Sequence, residues 1–155
     1  MLARVLLLLW VLLGHAWGDD PKWKVTSDPT WDACFQRSFG WNGADGAYSI
    51  DLGGGWSGWL FSDTFVGRVE EDGSRPADSL FLHNTWARIH RNRPSLAIFS
   101  SRPLVHGPEK NWFWVYQPWL NAQRQGFLFL GEFSTTPDGP EGLNFAQVGT
   151  SLVPL

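Results

Sequence analysis

Residues 41–67, WNGADGAYSIDLGGGWSGWLFSDTFVG, leave this chain little choice of secondary structure. Short strand-like runs at 47–50 and 59–65 flank a glycine-rich turn over residues 51–57. Glycine clusters between such runs read as hairpins. The stretch also keeps two acids, Asp45 ahead of the first run and Asp63 within the second. A carboxylate on a strand rich in aromatic residues must find hydrogen-bond partners, because burying it without them is costly.

The same grammar continues downstream. Residues 66–79 form a polar loop, and 81–90 alternate Phe81, His83, Thr85, Ala87 and Ile89 against Leu82, Asn84, Trp86, Arg88 and His90. Further strands are expected at 96–99, 111–119, 126–133 and 144–153, with proline- and glycine-bearing loops between them. A short turn of helix is expected within 30–39. About seven short strands with turn signals, and no long amphipathic helix, make an all-β chain of sandwich or propeller type. GWLFSDTF at 58–65 is echoed by GFLFLGEF at 126–133, which suggests a repeated unit.

Residues 1–18 read as a secretory signal peptide: Arg4, an apolar run over 5–13, then Ala16-Trp17-Gly18 before two aspartates. The apolar run is too short for a bilayer, which needs ~20 residues. The expected product is therefore secreted, with no membrane span. Residues 19–40 read as a lead-in and 41–155 as the main domain. The net charge of −3 offers no basic surface for nucleic acid. Cys34 is the single cysteine, so the chain has no internal disulfide and no cysteine-based zinc site. Burial beside Phe35, pairing with another chain, and a partner cysteine outside this sequence are the three readings of it; burial is favoured. Eleven tryptophans are the compositional outlier. Flat rings serve either as sheet-packing core or as a platform for the apolar faces of sugars.

The segments GADGAYSIDL, WLFSDTFVG, FLHNTWARI, FLFLGEF and GLNFAQVGTSL together resemble a group of secreted proteins of uncharacterised activity. Bacterial members of that group read close to GGDGAYS, LWLFGDTFVG and HNS. The resemblance runs from about Trp41 to Leu152. It implies a five-bladed antiparallel β-propeller, similar in architecture to furanosidase-type glycoside hydrolases and sucrases. Blades of four strands take ~40–45 residues. On that measure the chain is an incomplete propeller, about the amino-terminal two blades of five. Unpaired blade edges would invite self-association.

Glycoside hydrolysis needs two carboxyl groups across the sugar, ~5–5.5 Å apart for a nucleophile or ~6.5–9.5 Å apart around a water. The resemblance makes Asp45 the candidate first-blade acid, as base or nucleophile, and Asp63 the next. The alternative for either is a structural acid bonded to backbone N–H groups. The His83-Asn84 pair is implied to face the central channel and recognise sugar hydroxyls; a satisfied core histidine is the alternative. Tyr48 and Trp114 are candidates for stacking on a sugar ring, with core packing the competing role. Where the group carries an acid in a Trp-Pro-x-Asp-Gly-like context, this chain has Gln117, which cannot ionise. Glu132 paired with Asp45 is a fallback.

No cofactor is expected. The sequence has no P-loop, no dinucleotide fingerprint, no H-E-x-x-H helix and no G-x-S-x-G elbow. Asp45, Asp51 and Asp63 are the acids from which a calcium site would be built, yet no loop has EF-hand spacing, and no metal is expected. The function anticipated is glycan hydrolysis or glycan binding in the full-length form. The alternatives are a non-catalytic extracellular carbohydrate- or protein-binding module, or a truncated product without independent function.

Overall fold

A computed structural model describes residues 24–108 and 110–155; the expected signal peptide lies outside them. The first element among the described residues is a short helix, α1 (Pro29–Phe35). Asp28 caps it, its carboxylate accepting from the N–H groups of Thr30 at 3.0 Å and Trp31 at 3.3 Å. Pro29 opens the first turn, where its missing N–H costs nothing.

Ten strands follow among the described residues: β1 (Phe39–Ala44), β2 (Tyr48–Gly53), β3 (Trp56–Phe61), β4 (Thr64–Arg68), β5 (Leu80–Leu82), β6 (Thr85–His90), β7 (Arg93–Phe99), β8 (Asn111–Leu120), β9 (Gly126–Thr135) and β10 (Phe145–Pro154). All pairings are antiparallel. They form three sheets, ordered β1-β4-β5, β2-β3-β6-β7 and β10-β9-β8. The hairpin between β2 and β3 turns on Gly53, Gly54 and Gly55, whose φ values of 80°, 59° and 81° suit glycine and strain other residues.

Ten strands among the described residues replace the seven expected, because the runs at 59–65 and 81–90 each divide between two sheets and β1 was not expected as a strand. β1 leads into β2, β3 into β4, and β5 into β6, each across a bend of two or three residues. The alternation over 81–90 breaks at His83-Asn84, and the run over 59–65 breaks at Ser62-Asp63. The segment expected to be a lead-in joins the fold: α1 packs on the four-stranded sheet and β1 already begins at Phe39.

Two apolar layers flank the four-stranded sheet. On one face Trp41, Phe61, Ala87 and Ile89 meet Cys34 of α1, with Trp31, Phe35, Trp59 and Phe99 around them. Phe35 sits edge-on to Trp59, Phe61 and Phe99 at centroid distances of 5.4, 6.5 and 5.7 Å. Such pairs add ~0.5–1.5 kcal/mol each beyond the area they bury. The other face packs on the β8–β10 sheet through Leu60, Val115, Leu128 and Leu130. Leu60 and Leu128 hold matching places in the echoed segments GWLFSDTF and GFLFLGEF, and both point into this shared core.

Strand bends break the ladder, and polar side chains mend it. Ser62 Oγ donates to the Val115 carbonyl and accepts from the Val115 N–H, both at 3.1 Å. Thr64 Oγ1 donates to the Ser62 carbonyl at 2.8 Å. Its proton is thereby used, so Thr85 Oγ1 is the donor in their 2.8 Å contact. Ser62, Thr64, Asn84 and Thr85 are all buried, and each has partners, as buried polar groups require.

Candidate functional site

The three bends lie side by side. The Asp45 N–H donates to the Asp63 carbonyl, and the Ser62 N–H to the Asp45 carbonyl, each at 3.0 Å. Beyond them β4 pairs with β5, Thr64 opposite Leu82, which sets the 83–84 bend next in line. Asp45, Asp63, His83 and Asn84, spread over forty positions in the chain, thus share one seam.

Asp63 is the hub. Its Oδ1 accepts from Trp114 Nε1 at 2.7 Å and lies 2.9 Å from His83 Nδ1. An ionised carboxylate only accepts, so His83 Nδ1 carries a proton and donates to it, while Nε2 points away from this contact. Both side chains keep some solvent contact, 24% of Asp63 and 37% of His83. Among the described residues Asp63 Oδ2 has no hydrogen-bond partner. One oxygen is anchored and the other is available.

Aromatic rings fix the rest. His83 stacks on Trp112 at 4.7 Å and 21°, and Phe81 meets the imidazole edge-on at 5.5 Å. Trp114 packs on Phe133 at 4.2 Å and Phe145 at 5.1 Å. Asp63, His83, Trp112, Trp114, Asn144 and Phe145 line a cleft of about 400 Å³. That falls within the ~300–1,000 Å³ typical of small-molecule sites.

The remaining candidates fall elsewhere. Asn84 uses all its bonding capacity on backbone. Its Nδ2 donates to the carbonyls of Val105 and Phe113, and its Oδ1 accepts from the N–H groups of Leu104 and Val105. It clamps the 103–106 loop to β8, with nothing left over for a sugar hydroxyl. Tyr48 packs against the Leu60–Val115 core. Asp45 sits on the exposed side of the seam. Partial burial pushes its carboxyl above the ordinary aspartate value, the nearby charge of Asp63 adds to this, and the Asp63 backbone opposes both. Glu132 accepts from Asn111 Nδ2 at 2.6 Å and does not line the cleft. Gln117 is exposed, at a bulge in β8. Among the described residues no three of His, Cys, Asp and Glu are grouped to hold a metal ion, and no helix is long and apolar enough to cross a membrane.

Sequence reasoning missed Trp112, Phe81 and Phe145 as cleft residues. Trp112 and Trp114 stand two apart on one strand, and period-2 alternation was the signal that they share a face.

A family model described as a domain of unknown function (DUF5005) matches residues 28–154. The chain belongs to that family. This DUF5005 domain has no match among curated proteins. It superposes on a crystal structure described as a "putative hydrolase" from Bacteroides ovatus, with a TM-score of 0.66 and 20% identity. The superposition covers 87% of the DUF5005 chain and 42% of the Bacteroides chain, so it spans well under half of that protein's length. At this identity the likeness speaks for a shared fold.

Proposed function

We propose that this chain is the glycan-binding part of a secreted protein built as a five-bladed β-propeller of glycoside-hydrolase-like architecture. The observation that carries the reading is Asp63: a carboxylate with one oxygen fixed by Trp114 and His83, the other free, at the wall of an aromatic cleft. Aromatic faces stack on the apolar faces of a sugar ring, while a fixed acceptor selects its hydroxyls. The propeller reading draws support from the two successive antiparallel meanders, β2-β3-β6-β7 and β8-β9-β10, which share a face-to-face core. Secretion rests on the leader-like residues 1–18.

In the full-length form the same seam supplies a pair of acids for hydrolysis. Asp63 takes the role of nucleophile or base. Asp45, whose carboxyl holds its proton to higher pH than usual, takes that of general acid. A purely binding role is the second reading, and one observation favours it: Asp45 does not line the Asp63 cleft.

The test titrates neutral oligosaccharides against the chain and follows tryptophan fluorescence and reducing sugar together. The binding role predicts a fluorescence shift without sugar release, weakened about 10- to 100-fold by Asp63→Asn, as expected for losing a hydrogen bond to a charged acceptor. Sugar release by the full-length form that stops on either Asp45→Asn or Asp63→Asn identifies the hydrolytic role. A flat fluorescence response to every sugar refutes both.

A further inference from the structure

A second cleft, of about 260 Å³, lies beside the first. It is floored by the 103–108 loop, including His106, and by Asn111 and Phe113 of β8. The two clefts share three lining residues, Phe81, His83 and Trp112. These three form a fixed ridge. Trp112 stacks on His83, Phe81 meets the imidazole edge-on, His83 is tethered to Asp63, and Asn84 at the base of the ridge ties down the loop beyond. Alone, the second cleft is smaller than the ~300 Å³ at the low end of small-molecule sites.

We infer that the two clefts are halves of one site that takes a neutral oligosaccharide of at least two residues, laid across the Phe81–His83–Trp112 ridge with one sugar on each side. This rests on the glycan reading of the Asp63 cleft and goes beyond it in length and charge. Length follows from the shared ridge: a ligand filling both clefts must cross it, and His83 is the titratable group that meets both halves. Charge follows from the lining. Among the described residues neither cleft is lined by a lysine or arginine, and the fixed charge present is the Asp63 carboxylate. A uronate or sulfated sugar would enter beside that carboxylate with no cation to pair it, whereas a hydroxyl donates to it.

The test uses the whole chain and isothermal titration. Glucose, galactose, xylose and arabinose are compared with their neutral di- and trisaccharides, and trigalacturonic acid serves as the anionic counterpart. A disaccharide of at least one neutral series should bind about tenfold or more tighter than its monosaccharide. His106 is exposed and has no hydrogen-bond partner among the described residues, so His106→Ala leaves the fold alone. It should remove the disaccharide's advantage while sparing the monosaccharide. Trp112→Ala should weaken both, and Trp112→Phe, which keeps a ring on the ridge, should restore them. Equal affinity for mono- and disaccharide, or a disaccharide advantage that survives His106→Ala, overturns the two-cleft site and leaves the glycan reading standing. Tightest binding of trigalacturonic acid overturns the charge assignment. No binding by any sugar overturns the glycan reading itself, and this inference with it.

Discussion

Replacing Asn84 by alanine should remove the clamp on the 103–106 loop, and the cost can be worked from the structure. The side chain is 2% exposed and makes four hydrogen bonds of 2.8–3.0 Å, two as donor and two as acceptor. A net contribution of ~1 kcal/mol for each bond puts the loss at ~4 kcal/mol. Leu104 and Val105 are only half-buried, so water can replace some of those partners, which lowers the expectation to about 2–4 kcal/mol. For a chain of this size that is a fall in Tm of about 6–14 °C. The assay is urea and thermal unfolding of both forms, paired with hydrogen exchange at the Leu104 and Val105 amides. Exchange at those two amides should rise even under conditions where the rest of the chain stays protected. Asn84→Asp is a sharper control. It keeps the two accepted bonds but turns a carboxylate oxygen toward the carbonyls of Val105 and Phe113, so near neutral pH it should be no milder than alanine. A loss below ~1 kcal/mol for Asn84→Ala, with unchanged exchange at 104 and 105, would refute the reasoning.

Two further outcomes follow from the titratable groups. The Asp45 carboxyl lies above its ordinary value in the folded chain, so the folded form binds the extra proton between the unfolded and folded values, and stability falls as pH rises through that window. Asp45→Asn should therefore be the more stable form near pH 7 and lose its advantage in acid; an equal or lower Tm near pH 7 refutes this. Burial pushes the Cys34 thiol up, only partly offset by Arg37, so native protein should resist a thiol reagent at neutral pH and react once unfolded. Rapid labelling of the native chain would contradict the packing of Cys34, on the inner face of α1, against Trp41 and Phe61.

Much of the sheet structure was legible in the sequence. The Gly53–Gly55 hairpin was visible because three successive positive φ values suit glycine and strain other residues. A short helix was expected within 30–39; Asp28 and Pro29, which cap and open it, were not read as its start. The buried strand over 126–133 announced itself by Leu128 and Leu130. What alternation cannot report is a strand changing partners partway, because the period stays 2 on both sides of the change. That is why 59–65 and 81–90 each read as one strand. The Asp63–His83 contact was hidden for the same reason, since it depends on two bends being neighbours. Asn84 looked like a ligand residue because a buried asparagine and a sugar-binding one share the same chemistry, and only the loop it clamps distinguishes them. Trp112 was passed over in favour of Trp114 although both stand on the same strand.

The three shared passes have a mechanical consequence. A sheet that owns its strands can melt alone, but the β1-β4-β5 layer is made of extensions of β2, β3 and β6. Pulling on either layer loads the other through the same covalent chain, so the two form one cooperative unit rather than independently fraying parts. The Asp63 seam lies where the chain crosses between the two layers, so each of its bends is covalently continuous with a strand in both.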